Sequence, residues 1–120
     1  MVANAIACYG KSIELQPRFI PAELGLAWIL ATWPEPSVRN GGQAVALAKQ
    51  AERLSTGENP QILRTLAAAY AEAGRFPEAV ATAKEALALA MSQSASGLTN
   101  SLQKEIELYQ TNSPCRSLDE

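Results

Sequence analysis

Hydrophobic and polar positions alternate along this chain with a helical period, broken at short intervals by Gly, Pro and Asn. The clearest stretch runs from Asn59 to Arg75. Ile62, Leu63, Leu66, Ala67, Tyr70 and Ala73 recur at helical spacing, and Arg64, Ala68, Ala71, Glu72 and Arg75 fall on the other side. Asn59 before Pro60 marks a start, because asparagine accepts from free amides and proline tolerates the first helical position; Gly74 marks a stop. A second period opens at Pro77, with Ala79, Val80, Ala83, Ala86, Leu87 and Leu89 on its inner side. The short break between the two forces an antiparallel hairpin. Small side chains at Ala67, Ala79, Ala83 and Ala86 predict that its backbones approach at the short end of the usual range of roughly 8–10 Å, with Leu, Tyr and Phe filling the spaces between.

The spacing predicts an all-α fold: helices over about 2–16, 21–32, 41–55, 60–73, 77–91 and 96–110 in one domain spanning 1–110, followed by a flexible tail, 111–120, bearing Pro114 and Cys115. The least regular part is "TWPEPSVRNGG". Pro34 and Pro36 exclude helix there, and Asn40-Gly41-Gly42 supplies the freedom to re-enter one. Two readings of this loop stand: a specificity loop carried on a rigid scaffold, or a tolerated insertion of low closure entropy whose Trp33 covers the apolar layer. The last period, Leu98, Leu102, Ile106 and Tyr109 backed by Gln103, Lys104, Glu107 and Gln110, has no partner helix in sequence. It reads as the cap that a stack of hairpins needs over its terminal apolar edge.

Leu63, Leu66, Ala67, Tyr70, Gly74, Phe76, Ala79, Ala83 and Ala86 line up with the tetratricopeptide repeat pattern, and the stretch resembles that family. It departs at Leu63 for the tryptophan, Ala67 for the glycine, Ala83 for the aromatic and Met91 for the closing proline. Residues 5–17 resemble the second helix of an earlier repeat, and 23–32 with 41–55 resemble a full repeat between. The equivalent Ala5, Ala44 and Ala79 lie 39 and 35 residues apart, against a family period of about 34. The excess is local, about five residues in the 33–40 turn and about one near Gly57.

The resemblance implies an α-solenoid of antiparallel hairpins, about 2.5 repeats with a C-terminal capping helix, that acts as a protein–protein interaction scaffold. Its concave wall, built from first helices, is expected to bind a peptide or protein segment. Residue matching places Leu24, Trp28, Ala31 and Thr32, then Gln61, Arg64, Ala68, Ala71 and Glu72, on that wall. The lysines and asparagines with which chaperone-binding members hold a terminal carboxylate are absent from these positions, so an apolar or extended segment anchored on Trp28 is the expected ligand. The plainer readings are a Trp28 packed under its neighbours and Arg64 and Glu72 as solvated face charges. The other functional class is structural: a terminal segment of a longer repeat protein, or a homodimer, that associates through the first helix. There Ile6, Tyr9 and Ile13 pack inward, while Ala5, Cys8, Ser12 and Leu15 face a missing partner.

Composition narrows the rest. The 120 residues carry net charge −2 with basic residues scattered, not striped, which argues against nucleic acid. The longest apolar run, from Leu24 to Trp33, is too short for a bilayer; with no signal peptide evident, a cytoplasmic protein is expected. There is no histidine, and Cys8 and Cys115 sit alone near opposite ends. No metal, no cofactor and no catalytic residue is expected, and both cysteines read as free thiols in a reducing compartment. Glu14, Glu23, Glu35, Glu52, Glu58, Glu72, Glu78 and Glu85 all read as helix-surface or helix-end carboxylates.

Overall fold

Residues 2–55 and 59–116 are described by the computed structural model. The extra residue expected near Gly57, the carboxylate Glu58 and the last tail residues, 117–120, lie outside the described residues. Within them the chain is all α, with α1 (Val2–Leu15), α2 (Ile20–Thr32), α3 (Gly41–Leu54), α4 (Pro60–Glu72), α5 (Phe76–Ser92) and α6 (Ser96–Gln110), and no strand. Each helix end falls within one residue of the position that the spacing predicts. None of these helices is long and apolar enough to cross a membrane.

The local chemistry accounts for the ends. Asn40 Oδ1 accepts the Gln43 amide at 3.0 Å, and Asn59 Oδ1 accepts the Gln61 amide at 2.9 Å. Each such cap stabilises its helix by about 1 kcal/mol. α4, α5 and α6 stop in the same way, on a left-handed residue: Gly74 (φ 81°), Ser94 (φ 58°) and Asn112 (φ 58°). In each, the next amide returns to a carbonyl of the last turn: Arg75 to Tyr70 at 2.8 Å, Ala95 to Ala90 at 2.9 Å and Ser113 to Leu108 at 2.8 Å. Only Gly74 reaches this conformation without a steric cost.

Neighbours in sequence pack as hairpins, α2 on α3 and α4 on α5. α1 lies on α2, α3 on α4 and α6 on α5, and α2 and α4 run side by side. The alanines do what their spacing suggests. Ala44, Ala48 and Ala51 of α3 and Ala79, Ala83, Ala86 and Ala90 of α5 are all fully buried, so nothing larger than a methyl group stands at these contacts. At Gly41 the approach is closer still: a Cβ there would lie 2.7 Å from the Ala73 amide nitrogen, so the start of α3 sits directly on the end of α4. The Tyr9 ring of α1 lies in the same manner over Gly25 of α2, where a Cβ would come within 2.6 Å of it.

Two expectations are corrected. α4 is not half-solvated: Ala68 and Ala71, assigned to its outer side, are buried, and Ala73, assigned inward, is exposed at the helix end. α4 is the central helix, with α2, α3 and α5 all packed against it. In the segment 111–120, expected to be a flexible tail, Cys115 is packed: it is 6% exposed and shares one apolar cluster with Ala68, Ala71, Ile106 and Tyr109. The turn at Asn112 reverses the chain after α6. Arg64 and Glu105 span the distance between α4 and α6 by side chains, which leaves room beside them for a thiol.

Candidate functional site

Helical spacing brings Leu24, Trp28 and their neighbours on α2 to the same side as Gln61 and Arg64 on α4, and α1 closes a third side with Tyr9. The result is a cleft of about 470 Å³ lined by Tyr9, Pro21, Leu24, Gly25, Trp28, Ile29, Gln61, Arg64 and Thr65. Four of the nine residues expected on the wall, Leu24, Trp28, Gln61 and Arg64, therefore share one recess.

Arg64 is neither solvated nor free. Its Nε donates to both carboxylate oxygens of Glu105 at 3.0 and 3.1 Å, its Nη2 donates to Glu105 Oε2 at 2.6 Å, and its guanidinium carbon lies 4.5 Å from the Trp28 ring centroid. Burial alone would favour its neutral form; the hydrogen bonds and charge of Glu105 outweigh that and hold the guanidinium above its ordinary pKa. Arg64 is thus a permanent cation that joins α4 to α6 and backs the indole.

The remaining candidates lie elsewhere. Thr32 is completely buried with its hydroxyl donating to the Trp28 carbonyl at 2.7 Å, which ties it to its own helix and removes it from any binding wall. Ala68 is in the core, a second correction. Glu72 is held between two guanidinium groups: Oε2 faces Arg39 Nε at 3.3 Å and Oε1 faces Arg116 Nη1 at 2.9 Å. Arg39 is fixed in turn, its Nη1 donating to the Trp33 and Pro34 carbonyls at 2.7 and 2.8 Å. The 33–40 loop is therefore tied to α4, and it delivers a cation to the wall.

On α1, Cys8 and Leu15 are exposed, Leu15 at 72%, and Ala5 and Ser12 are half-buried, while Ile6, Tyr9 and Ile13 pack on the core. The four self-association candidates thus occupy the outer side of the first helix.

Two buried groups beside α4 carry perturbed titrations. Burial raises the Tyr109 hydroxyl, with the neighbouring Cys115 and Glu105 charges adding to the effect. Burial first, then the charge of Glu105, pushes the Cys115 thiol up to about 11, so it stays protonated and unreactive. Glu23, expected on the surface, is 1% exposed between α2 and α3, and its Oε1 has no partner among the described residues. Burial raises its pKa, partly offset by Gln50 and Arg53 of α3.

A second recess, about 550 Å³, lies on another side of α4 between α3 and α5, lined by Glu52, Ile62, Leu63, Glu85, Ala88 and Leu89 among others. No candidate from the sequence lines it. Sequence reasoning also missed Arg39, Glu105, Cys115 and Arg116. Glu105 was discoverable, since it falls among Leu102, Ile106 and Tyr109 on the inner stripe of α6. No family model, curated protein or solved structure matches the chain.

Proposed function

We propose that the chain is a non-catalytic interaction scaffold of the tetratricopeptide kind that binds a peptide or protein segment in the cleft between α1, α2 and α4. Trp28 carries the reading. Its indole is partly buried against the core, lines the recess and is backed by the paired Arg64, so its remaining surface is offered in a fixed orientation. A rigid aromatic of this size binds with little ordering cost. The volume lies within the roughly 300–1,000 Å³ of ordinary ligand sites.

A segment fits better than a small polar molecule. Two of the polar groups inside are already engaged, Arg64 with Glu105 and the Thr65 hydroxyl with the Gln61 carbonyl at 3.0 Å. An apolar side chain entering beside Leu24, Ile29 and Tyr9 needs none of them. Against catalysis, Glu105 is neutralised by Arg64, and burial with the Glu105 charge keeps the Cys115 thiol protonated. The two free thiols support a reducing setting such as the cytoplasm.

Panning a phage-displayed random heptapeptide library against the chain tests the cleft. Selected peptides should lose binding at least about tenfold, one buried side chain's worth, to Trp28→Ala with helical circular dichroism unchanged. Peptides that bind the variant equally well reject the cleft. The second reading, self-association through α1, is favoured by exposed Leu15 and Cys8. Light scattering across concentration should then show a dimer that Leu15→Lys abolishes.

A further inference from the structure

Beyond the Trp28 cleft, the wall continues along α4 to Glu72, and there the chain's own tail lies on it. We infer that Glu72 and the small-residue surface beside it form a recognition site for an extended segment in which a small apolar residue is followed by arginine, a site that residues 113–116 hold in this structure. The inference rests on the segment-binding reading above and adds the partner's chemistry.

The carboxylate is divided between a fixed and an exchangeable cation. Its Oε2 belongs to Arg39, which is locked by the Trp33 and Pro34 carbonyls and so aims the carboxylate. Its Oε1 belongs to Arg116, which comes from an irregular segment outside any helix and keeps 32% of its side chain exposed. An ion pair that accessible is screened and readily exchanged. Beside it, Ala68 and Ala71 carry nothing beyond Cβ, so an extended backbone can approach α4 closely, and the side chain before the arginine, Cys115, drops into the apolar cluster they share. Together these give a spacing rule: a side chain of thiol size for the cluster and, at the next position, a guanidinium for Glu72.

The tail holds the site by being tethered, not by binding tightly. A tether supplies an effective concentration of order millimolar, so an incoming segment prevails by making contacts that the tail lacks. The Trp28 cleft, one step along the wall past Arg64, offers them.

The test is titration of an acetylated, amidated hexapeptide, TNSPAR, into the isotope-labelled full chain, followed by amide chemical shifts. Arg116→Glu places like charge beside Glu72 and frees the site; Arg116→Ala frees it without the added repulsion. The peptide should shift amides around Glu72 in both variants, with affinity at least about tenfold above wild type, because the tethered guanidinium no longer competes for Glu72. Glu72→Gln in the Arg116→Glu background, or a peptide ending in alanine, should lose at least about tenfold, as expected for a charge-assisted pair. Equal affinity for wild type and Arg116→Glu, indifference to Glu72→Gln, or no shift on α4 in any variant overturns the inference. Library peptides that depend on Trp28 yet show no arginine preference overturn it and leave the cleft standing; hexapeptide binding at Glu72 that survives failure of the Trp28 test does the reverse.

Discussion

Each half of the molecule buries one glutamate, and the two are treated in opposite ways. Glu105 of α6 faces Arg64, with its oxygens taken by Nε and Nη2 at 2.6–3.1 Å. Glu23 of α2 is at least as deeply covered, yet one of its oxygens is without a partner and Gln50 and Arg53 only partly offset its burial. The first is a connector: among the described residues it is the ion pair that links α6 to α4. The second is a cost carried by the α2–α3 contact. A buried carboxylate is therefore no mark of function by itself; what faces it decides.

The largest test of this contrast breaks the connector. Arg64→Ala leaves Glu105 buried without its partner and should lower stability by about 2–3 kcal/mol, the figure for a buried pair reduced for the part of Arg64 that is still exposed. Urea unfolding followed by circular dichroism measures it, and the double variant Arg64→Met with Glu105→Leu should recover most of the loss. Unchanged stability in the single variant would mean that water satisfies Glu105 and that the pair joins nothing.

Glu23→Gln should act in the other direction, raising stability near pH 7 by about 1 kcal/mol as a buried charge with an orphan oxygen is removed. The sign follows from its raised pKa. The folded state holds the Glu23 proton more tightly than the unfolded chain, so the wild type's share of stability is complete below the unfolded value and is lost as pH rises through the folded one. The variant's advantage must therefore shrink as the solution is acidified from pH 7 toward 4.5, the ordinary value for a glutamate, and be gone below it. An advantage independent of pH would show that Glu23 is not the cause.

Smallest is a change that should leave both glutamates alone. Ser94→Gly relieves a left-handed residue between α5 and α6 and should add about 0.5–1 kcal/mol. Its effect should sum with that of Arg64→Ala if the α5–α6 turn and the α4–α6 link are independent, and non-additive melting temperatures would show that they act together.

The helices were legible because their signals are local. Asn40 and Asn59 announce starts, Gly74 a stop, and the Ala44–Ala48–Ala51 series an inner face, all within a few residues. The cleft was half legible. Leu24, Trp28, Gln61 and Arg64 follow from matching the chain to the repeat pattern, but Thr32 and Ala68 failed because such matching does not say which sides of a central helix are covered. Arg39, Glu72 and Arg116 meet across long stretches of chain, and nothing local encodes such a meeting. The nearest hint was Asn112 followed by Pro114, which reads as a helix stop that turns the chain.

Gly41 deserves its place for an electrical reason. With no side chain in the way, the amino end of α3 abuts the carboxyl end of α4, so the partial positive charge of one helix dipole meets the partial negative charge of the other. Glu72, the last residue of α4, adds a full negative charge at the end where an anion is disfavoured. The α3 terminus and two guanidinium groups balance it. A bulkier residue at position 41 would hold the two ends apart, and the carboxyl end of α4 would then depend on its cations alone.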